Sequence, residues 1–227
     1  MKLRSRLRRL LLWIVAILVL GPLALIAVYA VVPPLLTPLM VTRFIDGAGL
    51  EKTWTPLRAV SAHVPKAVIA SEDNLFCSHS GFDWSSLQAA VVDYAEGGRL
   101  RGASTISMQT AKNVFLWPGR DFVRKGLEAY LTFWIERMWS KRRIMEVYLN
   151  IAEWGDGIYG VGAASRAYFG KSAAALTERE AALLAAVLPN PREWSPKRPT
   201  PFIDERARII VSRIDQLGPM LACVAKR

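Results

Sequence analysis

The longest apolar pattern in the chain runs from Leu10 to Val32, where only Gly21, Pro22 and Tyr29 interrupt an uncharged stretch. A helix of about 20 such residues spans a bilayer core of about 30 Å. Ahead of it stand Lys2, Arg4, Arg6, Arg8 and Arg9, with no acid among them. The run is long for the core of a signal peptide, and Pro33 and Pro34 follow at once on Ala30, a weak cleavage site. The pattern predicts a retained single-pass anchor at 10–32. Its basic flank at 1–9 stays in the cytoplasm, and everything after Val32 lies outside it.

Beyond the anchor the pattern becomes that of short helices. Pro33, Pro34 and Pro38 stiffen the exit in a juxtamembrane segment, 33–56, and 39–58 shows no clear period. Val60 to Ala70 has helical apolar spacing. Asp83 can cap a helix through Ala95 that Gly97 and Gly98 close. Ser104 or Thr105 can start a short helix to Asn113. Asp121 can cap a long one with Leu127, Leu131, Trp134, Ile135 and Met138 on its apolar side. Ser140 restarts a helix to about Ala152, Gly155–Gly157 form a turn, and Gly162 to Phe169 is helical. Thr177 and Glu180 make a capping box for a helix through Leu188. Prolines at 189, 191, 196, 199 and 201 mark a rigid loop before a last helix, Arg206 to Leu217. With little strand signal and no repeat, 57–227 reads as one mainly α domain.

Composition sharpens this picture. The chain has 227 residues and a net charge of +11, and five of those charges lie in the basic flank. The rest remains basic, which suits an anionic partner such as a phospholipid surface or a phosphorylated substrate. A nucleic-acid role is disfavoured, because the anchor places the body outside the cytoplasm and no recognition-helix pattern is present. Cys77 and Cys223 are far apart and lack metal-ligand spacing. Their spacing does not decide whether they pair, and two free thiols are the expectation.

Four segments can carry chemistry. In Ser71 to Asp83, Glu72 ends an apolar run, where a carboxylate suits proton transfer; Asp73 and His79 add polar groups. Arg101 to Asn113 offers a glycine, Ser104, Thr105 and exposed amides at a helix start, able to hold an anion, with Gln109 and Lys112 on one face. It lacks the Gly-Lys-Ser/Thr ending of a P-loop. Arg124, Lys125 and Glu128 lie on the long helix, where Arg124–Glu128 alone reads as a surface ion pair. Glu146 to Gly162 is rich in glycine and aromatics that can line a sugar cleft or pack a turn. Each segment has an ordinary structural explanation when read singly.

Together and in this order, the four segments resemble the peptidoglycan glycosyltransferase family in its monofunctional biosynthetic form, from about Leu57 to Pro191. The Glu-Asp-x-x-Phe-x-x-His-x-Gly-x-Asp pattern from Glu72 to Asp83 resembles the first motif. Gly102 to Asn113 is similar to the second, with Ala103 where many members have glycine. Arg124, Lys125 and Glu128 resemble the third, and Glu146 to Gly160 the fourth. The resemblance implies a lysozyme-like, two-lobed helical fold around a long cleft, acting on lipid II and the nascent glycan chain at the membrane. Glu72 would be the base on the acceptor's 4-hydroxyl, and Glu128 would sit near the donor pyrophosphate or support the reacting centre. Lys112, Arg120, Arg124 and Lys125 would neutralise the leaving group. Ser104, Thr105 and Gln109 would shape that pocket, and Asp73, His79, Asn113 and Asn150 would support the site. A divalent cation, Mg or Mn, can accompany the pyrophosphate, although no side-chain cluster forms a closed metal site. Division or elongation proteins are conceivable recruiting partners.

No serine is followed three residues later by lysine, the pattern a penicillin-binding transpeptidase needs. The expectation is a chain that polymerises glycan without cross-linking it. The rivals are a lysozyme-like glycan hydrolase and a non-enzymatic scaffold that binds lipid II.

Overall fold

The computed structural model describes residues 2–95, 97, 104–119 and 121–225. Gly98, the Arg101-Gly102-Ala103 stretch and Arg120 lie outside the described residues. Helix α1 (Lys2–Tyr29) contains Pro22. Among the described residues no helix is long and apolar enough to cross a membrane. Most side chains of 10–19 are outside the description, so the anchor rests on the sequence pattern. The C-terminal end of α1 is tied to the body. Trp139 Nε1 donates to Ile26 O at 2.8 Å, and Arg143 donates to the carbonyls of Tyr29 and Val32. Lys52 Nζ donates to the carbonyls of Pro34 and Leu35.

The body is mainly helical. Helix α2 (Pro38–Ile45) begins at a Thr37 cap with Pro38 in its first turn. It falls inside the stretch that has no clear period, because eight residues make barely two turns. Helix α3 (His63–Glu72) follows a 3₁₀ turn at Leu57–Ala59. Helix α4 (Trp84–Ala95) starts where Asp83 accepts the amide of Ser86. Helices α5 (Ile106–Phe115), α6 (Phe122–Met138) and α7 (Lys141–Ile151) begin at side-chain caps from Thr105, Asp121 and Ser140. Helix α8 (Val161–Phe169) ends at Gly170 in the left-handed region. The Thr177–Glu180 capping box opens α9 (Glu178–Val187). The last helix, α10 (Pro201–Leu217), starts five residues earlier than its apolar spacing predicts, because Thr200 caps it and Pro201 suits its first turn.

Three short strands accompany the helices, in keeping with the weak strand signal of the sequence. β1 (Glu51–Lys52), β2 (Glu153–Gly155) and β3 (Ile158–Tyr159) form a sheet in the order β1-β3-β2. β1 runs parallel to β3, and β2 antiparallel. Two- and three-residue strands are too short to show a period of two.

At the centre of the core, α3 buries Val64, Ala67, Val68, Ile69 and Ala70 completely. It packs on α9 and α10, while α5 packs on α6 and α7. Alanines at 67 and 70 of α3 and at 181, 182, 185 and 186 of α9 are all buried, and small side chains let helix backbones approach closely. The two free thiols expected from the sequence are corrected: Cys77 and Cys223 form a disulfide. It joins the loop after α3 to a C-terminal 3₁₀ turn, Gly218–Val224. The fold brings together cysteines 146 positions apart, which spacing could not reveal.

The face of α6 is also corrected. Leu131 and Ile135 are buried as expected, but Leu127 and Met138 are exposed. The inner face instead carries Arg124, Glu128 and Thr132. Phe122, Val123 and Phe133 point outward.

Candidate active site

Glu72 stands on the last turn of α3, half-buried at the rim of the core. The helix stops there because Asp73 leaves helical geometry and turns its side chain to other work. The buried Asp73 carboxylate accepts the Ile106 amide at 2.9 Å and contacts His79 Nε2 at 2.9 and 3.0 Å. The Gly81 amide donates to His79 Nδ1 at 3.0 Å. That nitrogen is therefore the acceptor, and Nε2 carries the proton given to Asp73. Thr105 caps α5 and donates its hydroxyl to Gly81 O at 2.7 Å. Gly81 has φ of 95°, and a Cβ there would press on Thr132 and Glu136 of α6. Asp73, His79 and Thr105 thus lock the loop after Glu72 onto α5 and α6.

Glu72 keeps neutral neighbours. Gln109 Nε2 donates to its Oε2 at 3.1 Å, and Ser71 Oγ to its Oε1 at 3.2 Å. The amide of Gln109 is oriented in turn by Tyr148, whose hydroxyl donates to Gln109 Oε1 at 3.2 Å. Burial, then the charges of Glu72 and Asp73, raise the Tyr148 phenol well above its ordinary range. It therefore stays a donor across the working pH range. Tyr148 was visible in the sequence only as one of several aromatics in the glycine-rich segment; its role depends on α7 facing α5.

Glu128 has the opposite setting. It is 2% exposed on the inner face of α6. Arg124 donates to it at 2.7 Å and Lys125 at 2.5 Å. The surface ion pair expected from the i,i+4 spacing is in fact a buried one, since Arg124 is only 7% exposed. The Arg124 Nε has no partner among the described residues. Lys125 also reaches Ser104 Oγ at 3.2 Å. Lys112, on α5, is held below the ordinary lysine range. Burial is the main cause; Glu128 opposes it, Arg124 and Lys125 add to it, and Glu72 opposes it. One ammonium therefore feels both carboxylates and both neighbouring cations.

Two hollows adjoin these residues. One, of about 550 Å³, is lined by Gln109, Lys112, Asn113, Tyr148 and the Pro189–Arg192 loop, among others. The other, of about 360 Å³, is lined by Glu72, Asp73, Ser104, Thr105 and Arg213, among others. Gln109 lines the first and bonds Glu72, which lines the second. Arg213, on the last helix, was not singled out from the sequence, because nothing local marks it as facing a site over 140 residues away in the chain.

Asn150 does not reach this site. It is wholly buried in α7, accepts the Thr55 amide at 2.6 Å, and donates to the carbonyls of Thr55 and Glu146. Its side chain is spent on holding the segment before α3 to α7. Arg120 lies outside the described residues.

A family model described as Transglycosylase matches residues 40–215. The biosynthetic peptidoglycan transglycosylase of Rhodospirillum centenum is 56% identical over 204 residues, covering 88% of each chain. The protein of the same name in Caulobacter vibrioides is 50% identical over 207 residues, covering 91% of this chain and 90% of its own. That of Pseudomonas entomophila is 48% identical over 219 residues, covering 94% and 91%. With a family match across most of the helical body and about half of the aligned residues shared with such relatives, this chain belongs to the transglycosylase family.

Proposed function

We propose that the chain is a peptidoglycan glycosyltransferase that transfers the growing lipid-linked glycan strand onto the 4-hydroxyl of lipid II. The O4–C1 bond forms with inversion, giving a β-1,4 link, and the bond from C1 to the pyrophosphate breaks. The observation that carries this reading is the pairing of Glu72, a half-buried carboxylate among neutral donors, with the cations Lys112, Arg124 and Lys125 around Glu128. A sugar hydroxyl must lose its proton as it attacks, and Glu72 can take it. A departing pyrophosphate must be neutralised, and preorganised cations do that without reorganising. Arg120 would join them, as the family resemblance implies. Glu128 holds Arg124 and Lys125 in place, and Gln109 with Tyr148 orients Glu72.

In this reading α3, α9 and α10 form one wall of a lysozyme-like, two-lobed cleft, and α5, α6 and α7 the other. Among the described residues no three acidic, histidine or cysteine side chains group as metal ligands. Both oxygens of Glu128 are occupied by cations. A hydrolase needs an acid and an activated water; it has no use for this many cations beside a leaving group.

The catalytic body would lie outside the cytoplasmic membrane, with α1 as its single span and the N-terminus inside. Three features support this: the apolar stretch after a basic flank, the Cys77–Cys223 disulfide, which suits an oxidising compartment, and exposed apolar side chains. The last include Phe44 and Ile45 on α2 and Phe122 and Val123 on α6, which can rest on a bilayer. Incubating the full chain with labelled lipid II and separating the products on a gel tests the reading. A ladder of glycan strands is expected. Digestion of finished cell wall with no extension of lipid II would replace the polymerase by a hydrolase.

A further inference from the structure

Away from the cleft, a hollow of about 470 Å³ opens at the foot of α1. Its walls come from the α1 exit (Val31, Pro33), the segment before α3 (Trp54, Leu57, Arg58) and the start of α7 (Arg142, Arg143, Glu146). It shares no residue with the two hollows beside Glu72. Three arginines face one acid, and that acid is already satisfied. Glu146 accepts Arg143 at 2.6 Å and the Leu57 amide at 2.7 Å.

The arginines differ in what they have left to offer. Arg143 is committed to the carbonyls of Tyr29 and Val32, to Glu146 and to the face of Trp54, 5.5 Å from the ring centroid. Arg142 uses one nitrogen on Ala225 O. Arg58 is exposed and forms no side-chain hydrogen bond or ion pair among the described residues. The hollow therefore has a fixed floor, Arg143 with Glu146, and two cations with donors to spare. Its rim toward α1 is apolar, since Val31 is 78% exposed.

We propose that this hollow binds the phosphate headgroup of an anionic phospholipid from the outer leaflet. Arg58 and Arg142 hold the phosphate, Trp54 lies at the level of the headgroups, and the acyl chains run down past Val31 beside α1. A guanidinium pair matches a phosphate better than two ammonium groups would, because each presents a planar fork of donors. An aromatic ring beside them suits the membrane–water interface. The occupant is a lipid rather than a free anion because the cations and the apolar rim adjoin the point where the chain leaves α1. This rests on the reading of α1 as a membrane span.

The experiment uses the full chain in nanodiscs of zwitterionic lipid, with and without phosphatidylglycerol, followed by native mass spectrometry after graded delipidation. The wild type should keep one phosphatidylglycerol when the zwitterionic lipid has gone. The Arg58→Gln/Arg142→Gln variant should lose that retention by on the order of 30-fold, as two surface charges acting on an anionic lipid predict. Circular dichroism and lipid II polymerisation in detergent should be unchanged in the variant, since neither residue lines the cleft. Equal retention by wild type and variant, or equal retention of the zwitterionic lipid, overturns the proposal. So does an excess of inorganic phosphate that strips the lipid, which would make the hollow a free-anion site. Loss of polymerisation in the wild type would instead count against the enzymatic reading and leave the retention result standing.

Discussion

Glu72 and Glu128, which the proposed reading sets on opposite walls of one cleft, are built in opposite ways. Glu72 ends a helix, stays half-buried and meets an amide and a hydroxyl. Glu128 lies inside a helix, is almost fully buried and meets two cations. A carboxylate with neutral partners can take up a proton without breaking an ion pair. A carboxylate clamped by Arg124 and Lys125 serves to keep those cations aligned. Two identical side chains are thus given different chemistry by their neighbours.

The largest expected effect is on the Glu72 wall. Glu72→Gln should lower turnover of lipid II by about 10²–10⁴-fold, the usual contribution of a positioned base. Its denaturant midpoint should match the wild type, because the Gln oxygen can still accept from Gln109 while its amide donates to Ser71 Oγ, which keeps Ala185 O as acceptor. On the other wall the effect should fall on stability as well. Glu128→Ala leaves Arg124 buried without its partner, which costs about 3–5 kcal/mol in urea unfolding. If the two variants lost stability equally, the contrast between the walls would fail.

Cutting the disulfide should act next. Cys77→Ser/Cys223→Ser frees the loop that follows Glu72 and should cost about 2–4 kcal/mol, read as a lower melting temperature that reductant reproduces in the wild type. The smallest effect concerns pH. Because Lys112 is held below the ordinary lysine range, the unfolded chain binds the extra proton more readily than the folded one. The resulting stability penalty is full below the folded value and fades as pH rises through it. Activity that needs the ammonium should fall over that same rise. Lys112→Arg should move the alkaline limb of the rate profile upward, and Lys112→Met should raise the melting temperature while lowering turnover.

Four helix starts were legible because capping is local, whereas the Thr37 and Thr200 caps of α2 and α10 were missed. Thr105, Asp121, Ser140 and Thr177 each stand where the sequence places a cap, and each makes the expected bond. What depended on distant partners was not legible. The apolar spacing of α6 pointed Leu127 and Met138 inward, yet the helix buries an ion pair and leaves Phe122, Val123 and Phe133 outside. Periodicity records which residues are apolar, not which face finds a neighbour. The site residues from Glu72 to Lys125 were legible as motifs. That Asp73, His79 and Thr105 also lock a loop was not, because those bonds join segments far apart in the chain. How Asn150 is used was hidden for the same reason: its partners at Thr55 are 95 positions away.

The division of labour between the walls is tested most directly by measuring lipid II binding and strand synthesis on the same preparation of Glu72→Gln. The account predicts that this variant binds lipid II as the wild type does and yields no strands on the gel. Strands formed at the wild-type rate would contradict it, since the proton would then be leaving by another route.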